Sequence, residues 1–410
     1  MDDIEIPEYY LCPISLQIMK DPVTTVTGIT YDRESIEQWL KTAKNGSTCP
    51  VTKQPLPKDS DLTPNHMLRR LIQAWCTSNA KNGVSPIPTP KSPLSKNYFL
   101  KLVKDLEIHT LFIQALNKME ALALENERNR MCMVDVGVDK ALVSFILRCY
   151  KERKTIGLEQ ALRILDVTWD LEAIKVHVKD NRDFVDSLIW VSGFDVDNDN
   201  IDVNIKTQSM SVLKKTMQVG STDLLERLSH DFFRGIVKLL KEKISQKALK
   251  SALLVLLEVC PWGRNRMKIV EAKAVFELIE LELGKPEKNI TELIFNLLAE
   301  LCCCADGRDQ FLKHAGSIAM ISKRILRVSP ATDDRAVHIL GLVSKFSAND
   351  QLLLEMLRVG AVSKLCMVIQ ANCAAYLKQK ARGILRLHSK VWNNSPCIHV
   401  YLLTRDFLPK

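Results

Sequence analysis

The sequence contains no apolar run of the roughly 18 residues that a membrane-spanning helix needs. The longest, near Ala252 to Val259, is interrupted by Glu258 and followed by Pro261. The opening Met1-Asp2-Asp3-Ile4-Glu5 is acidic and lacks the basic and apolar segments of a secretory signal. A cytoplasmic chain is expected, with nuclear or peripheral sites also open. Aromatic residues are scarce, at 6%, and the basic residues behind the net charge of +9 are spread along amphipathic stretches. Without a platform of interleaved aromatic and basic side chains, a nucleic-acid partner is not expected. The basic surplus still suits acidic protein segments or phosphates.

Metal ligands are also missing where they would be needed. Residues 1–79 offer only Cys12, Cys49, Cys76 and His66, with no close pair among them. A structural zinc site takes four ligands, usually as two closely spaced pairs, so neither a metal nor any other cofactor is expected. The 12 cysteines of the chain lie mostly in apolar helical stretches, as at Cys132, Cys149, Cys260 and Cys366, and are read as reduced packing residues. The triplet Cys302-Cys303-Cys304 is assigned to core packing, because adjacent helical residues point in different directions. The acidic stretch Asp195-Val196-Asp197-Asn198-Asp199-Asn200 is no calcium loop. Its sixth position is Asn200 rather than Gly and its twelfth is Lys206 rather than Glu.

What is present divides into three regions. A length of 410 residues with 46% hydrophobic and 26% charged content indicates a folded chain of two or more domains. Residues 5–79 form a turn-rich module, and 80–97 are a proline-rich linker that cannot make a helix interior. Residues 98–405 show nearly continuous helical periodicity. That third region repeats itself. Asn129-Arg130-Met131 and Asn265-Arg266-Met267 each lead through a short helix into a longer apolar one, broken at Gly137 and Lys273. Equivalent breaks fall at Gly316 and Gly360, about 44 residues apart, and weaker units fit the gaps around Asn181 and His230. An αL residue favouring Gly is expected at each break. About six units at this period predict an armadillo-type solenoid, stacked into a right-handed superhelix whose groove suits an extended protein segment.

In the N-terminal module, Asp21 to Thr25 and Ile29 to Tyr31 predict two strands joined by a turn at Thr27-Gly28. Asp32 is expected to cap a helix running to about Lys44, closed by Asn45-Gly46, with Ile36, Trp39 and Leu40 on one face. Leu56 to Leu62 is a turn-rich return. Asn65 caps a last helix carrying Leu68, Leu71, Ile72 and Trp75 on one side. Thr63, Ser85, Thr89 and Ser92 each precede a proline, which makes Thr63 and Thr89 in particular candidate sites of regulatory phosphorylation.

Two runs, Cys12-Pro13-Ile14-Ser15 and Cys49-Pro50-Val51-Thr52, look like Cys-x-x-Cys zinc pairs in which a hydroxyl replaces the second thiol. With Met19-Lys20-Asp21-Pro22-Val23, Gly28-Ile29-Thr30-Tyr31-Asp32-Arg33, Ile36-Glu37-Gln38-Trp39 and Leu62-Thr63-Pro64-Asn65, they fall in the order found in the U-box family of ubiquitin ligases. With the linker and repeats added, the whole chain resembles the plant U-box class with armadillo repeats, in particular its short members with the box at the N-terminus. The resemblance implies a mainly α protein: a small α+β, zinc-free, RING-like U-box followed by an armadillo α-solenoid.

It also implies roles. A U-box forms no covalent intermediate and docks a conjugating enzyme carrying ubiquitin as a thioester, which passes to a lysine of a protein substrate held by the repeats. Ile14 and Pro50 correspond to the family's apolar docking points, flanked by Leu16 and Trp39. Trp39 is equally readable as a core residue. Lys53 occupies the position of a cation that orients ubiquitin for attack, although the family more often has the forked arginine there. Cys12 is a packed structural thiol. Asp21, Tyr31, Asp32 and Arg33 supply the polar contacts that replace zinc. U-boxes can also self-associate, and the class is associated with stress and immune signalling. A non-catalytic armadillo scaffold with a degenerate U-box is the alternative from another functional class.

Overall fold

A computed structural model describes residues 6–42, 48–57, 61–80, 84, 96–193, 203–242, 244–392, 395, 396 and 398. The chain forms two compact units, Met1–Pro93 and Leu94–Lys410. The expected closure at Asn45-Gly46, most of the linker with Ser85, Thr89 and Ser92, and the acidic stretch at 195–200 lie outside the described residues.

The first unit is built on a small antiparallel sheet. Strand β1 (Pro22–Thr24) lies between β2 (Thr30–Asp32) and β3 (Thr63–Pro64), with Val23 opposite both Tyr31 and Pro64. Gly28, at φ +79°, makes the β1–β2 turn in a conformation that side-chain-bearing residues rarely adopt. The third strand is absent from the sequence-based reading, because two residues carry no period. It places Thr63 in sheet pairing with Thr24. Helix α1 (Arg33–Thr42) buries Ile36 and Leu40. Helix α2 (His66–Ser78) starts where the Asn65 side chain accepts from the Leu68 amide at 3.0 Å. Of its expected apolar face, Ile72 is buried and Leu71 is exposed. The core consists of Tyr10, Cys12, Met19, Val23, Tyr31, Ile36, Leu40, Cys49, Leu56, Ile72 and Cys76. Two of its members are the cysteines of the two loops.

The second unit opens with α3 (Lys96–Asp105) and α4 (Phe112–Glu125). Units of three helices follow. They are α5–α7 (Glu127–Asp135, Val138–Glu152, Leu158–Val167) and α8–α10 (Leu171–Val178, Arg182–Ser192, Val203–Val219). Next come α11–α13 (Thr222–Glu226, His230–Lys241, Gln246–Val259) and α14–α16 (Asn265–Glu271, Ala274–Leu283, Lys288–Leu301). The last two are α17–α19 (Ala305–Lys313, Ser317–Arg324, Pro330–Phe346) and α20–α22 (Asp350–Arg358, Ala361–Gln370, Ala375–Leu387). The third helices touch in sequence, α7 on α10, α10 on α13, α13 on α16, α16 on α19 and α19 on α22, forming a continuous ladder. A single apolar core runs from Phe99 to Trp392. Each unit closes this core only against its neighbours, which is why the helices persist as an array.

Three of the four expected breaks are left-handed: Gly137 (φ +78°), Lys273 (φ +68°) and Gly360 (φ +76°). Gly316 is not; its φ is −89°, and its amide donates to the His314 ring instead. The stretches at Asn181 and His230 begin the middle helices of their units, not the first ones. The reason is packing: Phe184, Phe232 and Phe233 are buried anchors of α9 and α12, and the first helices lie upstream as α8 and α11. Asn129 and Asn265 are buried at unit junctions. The Asn265 amide donates to the carbonyls of Leu225 (2.7 Å) and Val259 (3.0 Å), bridging adjacent units. Of the cysteine triplet only Cys302 is core; Cys303 is exposed and Cys304 half-buried, as a helix end turns them outward.

Candidate functional site: two knuckle loops joined through one strand

The loops after Leu11 and Thr48 have the same backbone form. Each is closed by one antiparallel bridge, Leu11 with Ile18 and Thr48 with Pro55. Inside each, the cysteine amide donates to the carbonyl of the residue five positions on, Gln17 (2.8 Å) or Gln54 (2.8 Å). The cysteine carbonyl then accepts from Leu16 (2.8 Å) or Lys53 (2.9 Å). Leu16 (φ 55°) and Lys53 (φ 60°) therefore occupy matching left-handed positions. A residue with a side chain costs roughly 1 kcal/mol or more there. The repeated pattern Cys-Pro-Ile-Ser-Leu-Gln and Cys-Pro-Val-Thr-Lys-Gln is the sequence trace of this shared geometry.

Strand β2 fastens both loops, using neighbouring residues that point to opposite sides. The Asp32 amide donates to Cys12 Sγ at 3.3 Å. The Tyr31 hydroxyl lies 3.0 Å from Cys49 Sγ and accepts from the Val51 amide at 3.4 Å. Thr27 Oγ1 donates to the same sulfur at 3.3 Å, and the Thr52 amide reaches it at 3.5 Å. Burial alone would raise the pKa of Cys49, but the hydrogen bonds from Thr27, Thr52 and Tyr31 outweigh it and bring the thiol down to about 6. Cys12 is lowered as well: burial opposes, and hydrogen bonds from Ser15, Asp32 and Ile14 prevail. Tyr31 is pushed up, first by burial and then by its bond to Cys49.

Asp32 departs from its expected role. Its carboxylate accepts from the amides of Lys20 (2.7 Å) and Asp21 (2.8 Å), not from the first turn of α1, so it ties the start of β1 to the end of β2. Burial raises its pKa against those amide bonds and the nearby cations. Asp21 sits between two guanidinium groups, with Arg33 Nε at 2.7 Å on one oxygen and Arg69 paired with the other. Arg69 as the partner of Asp21 and the Thr27 hydroxyl as the partner of Cys49 carry no local sequence mark, since both meet residues distant in the chain. Among the described residues, no group of three or more His, Cys, Asp or Glu is placed to hold a metal.

The outward side of these loops presents apolar side chains beside exposed Ser15, Thr52 and Lys53. Leu16 is 74% exposed and Val51 51%, while Ile14 and Pro50 are half-buried. Trp39 is 39% exposed despite its place beside Ile36 and Leu40, because its indole donates to the Thr48 carbonyl at 3.0 Å and so stands against the second loop. A rigid aromatic held by its one polar atom loses little entropy when a partner covers it. Val51 is the counterpart of Ile14 in the repeated Cys-Pro pattern, so the repeat itself marks this position. Lys53 is exposed on the second loop. Surfaces of this small size suit transient association rather than a permanent interface.

Comparison with known proteins agrees in both units. Residues 6–81 match the family described as U-box domain, and residues 100–407 match the plant U-box protein ARM repeat region. The E3 ubiquitin-protein ligase PUB24 of Arabidopsis thaliana is 41% identical, over 98% of this chain and 96% of its own. The E3 ubiquitin-protein ligase PUB23 of the same plant is 40% identical, over 97% and 96%. Among solved structures, the Uso1-2 crystal structure aligns with a TM-score of 0.55 at 12% identity, over 74% of this chain and 52% of that one. An engineered protein aligns at 0.52 and 15% identity, over 75% and 72%. These two likenesses concern the fold alone.

Proposed function

The chain belongs to the plant U-box ubiquitin-protein ligases with an armadillo-repeat region, and from that membership we propose how its two units divide the work. The two knuckle loops and α1 dock a conjugating enzyme loaded with ubiquitin. Ile14, Leu16, Pro50 and Trp39, with Val51 added, form the apolar contact, and Lys53 orients ubiquitin. The ladder of third helices holds a protein substrate, whose lysine attacks the thioester directly. Cytosolic action and a part in stress or immune signalling belong to this proposal and rest on the family likeness.

The observation that carries the docking reading is Trp39. A helix residue flanked by buried Ile36 and Leu40 stays exposed, held by a hydrogen bond to the Thr48 carbonyl of a loop whose other apolar side chains also face water. Exposing such residues on a fixed frame is unfavourable in isolation and is explained by a partner. The gain in rate is then one of orientation: the docked enzyme's thioester is restricted to attack-ready arrangements, with no new bond to this chain.

Purified activating enzyme, a panel of conjugating enzymes, ubiquitin and the full chain provide the test. Polyubiquitin is expected with some members of the panel and should be lost with Ile14→Ala and with Trp39→Ala. No product with any conjugating enzyme would favour the scaffold reading.

A further inference from the structure

The ladder of third helices is not uniform in charge. Helix α10 carries Lys206, Lys214 and Lys215 and no acidic residue. The next rung, α13, begins with Lys247 and Lys250, and its one acid, Glu258, lies at its far end. Lys206 is buried and paired with Glu242. The other four are at least partly open to water. Further along, α16 and α19 mix acids with bases, Glu292 and Glu300 with Lys288, then Asp333 and Asp334 with Arg335 and Lys345, and this separates the basic stretch from the basic last rung α22.

One carboxylate already sits in this stretch and shows what it recognises. Asp166, at the end of α7, accepts from Ser211 Oγ at 2.9 Å and pairs with Lys215 at 2.7 Å and Lys247 at 3.5 Å. Lys247 belongs to α13, so it reaches across α10 to meet a residue of α7, and these side chains share one face of three successive rungs. Burial opposes ionisation of Asp166, but the lysines and Ser211 hold its pKa below the usual carboxylate value. The long contact is the loose one. Lys247 is 58% exposed, and Lys250 stands one turn on along the same helix.

Building on the reading that the ladder holds substrate, we propose that the α7–α10–α13 face selects substrates through a short acidic segment. Aspartate or glutamate side chains of that segment pair with Lys247, Lys250, Lys214 and Lys215, competing with Asp166 for two of them. Rungs lie about 10 Å apart, so three of them span roughly six residues of extended chain. Charge pairing of this kind sets specificity and encounter rate and weakens with salt.

The test uses the full chain and a fluorescein-labelled eight-residue peptide rich in Glu and Asp, with its Gln/Asn counterpart as control, read by anisotropy at low and moderate salt. Lys247→Glu with Lys250→Glu should weaken the acidic peptide about tenfold or more. Lys101→Glu with Lys104→Glu, which change the net charge equally on α3, should leave it within about twofold. Asp166→Asn frees Lys247 and takes the carboxylate from Lys215, which keeps its bond to the residue-166 carbonyl (2.6 Å), and should tighten binding severalfold, a gain that a misfolded variant cannot give. Equal loss in both double variants would reduce the effect to net charge and overturn the proposal. Equal binding of the acidic and neutral peptides would overturn it too, as would tighter binding of a single-stranded oligonucleotide or anionic vesicles at the same lysines. Discharge of ubiquitin from the conjugating enzyme to free lysine, measured on the same samples, separates the two readings. Normal discharge without selective peptide binding rejects only this inference, whereas absent discharge rejects the ligase mechanism itself.

Discussion

The two knuckle loops share a backbone and differ in what fastens them. The first is held chiefly through Asp32, whose amide donates to Cys12 Sγ and whose carboxylate accepts from the amides of Lys20 and Asp21, with Ser15 also bonding to Cys12. The second is held mainly by hydroxyl side chains, with Thr27 and Tyr31 converging on Cys49 Sγ. In a zinc-bound module metal–thiolate bonds would set both loops by the same chemistry. Here each loop has its own polar anchor, and the anchors meet on consecutive residues of β2. The frame is therefore addressable one loop at a time, and substitutions should separate the loops where removal of a metal would collapse both.

The largest effect is expected at the ion pairs of Asp21 with Arg33 and Arg69. Asp21→Ala leaves Arg33 and Arg69 facing each other without their carboxylate, and should destabilise the N-terminal unit by about 3 kcal/mol. Chemical denaturation should show this as an earlier first transition, with the solenoid transition unmoved. Tyr31→Phe acts on the second loop alone, removing the hydroxyl between Cys49 Sγ and the Val51 amide, at about 1–2 kcal/mol. Hydrogen exchange should quicken around Val51 and stay constant around Ile14. Equal loosening of both loops would break the distinction.

The next effect depends on pH. The folded pKa of Cys49, about 6, lies below the roughly 8.5 of a free thiol. Its contribution is then fully present above the unfolded value and is lost as pH falls through about 6. Thiolate absorbance in wild type minus Cys49→Ala should titrate with a midpoint near 6. A midpoint at the free-thiol value would show that the hydroxyls do not hold a thiolate. The smallest effect is the sharpest dissection of form from contact. Leu16→Gly relieves the left-handed strain at φ 55°, so stability should hold or rise by up to about 1 kcal/mol, while ubiquitin discharge falls.

Much of this was legible in the chain. The ladder followed from a helical period of about 44 residues, because an array repeats its local pattern wherever each unit needs the same packing. The loops followed from the paired Cys-Pro runs. What stayed hidden was relational. Asp32 reads as a helix cap from its neighbours, yet it serves the strand behind it, and Asp21 finds Arg69 across 48 positions of sequence. Asn181 and His230 open middle helices rather than first ones, a distinction the sequence does not carry, since buried phenylalanines mark both kinds alike. Trp39 was open between core and contact. The Thr48 carbonyl, nine residues away, accounts for its position against the second loop.

The most direct measurement is single-turnover discharge of ubiquitin from a loaded conjugating enzyme to free lysine, with and without this chain. Acceleration by the wild-type chain is expected, with at least about a tenfold loss for Ile14→Ala and for Trp39→Ala, for which each variant must keep the wild-type unfolding midpoint. Undiminished acceleration by both folded variants would contradict docking through the two loops.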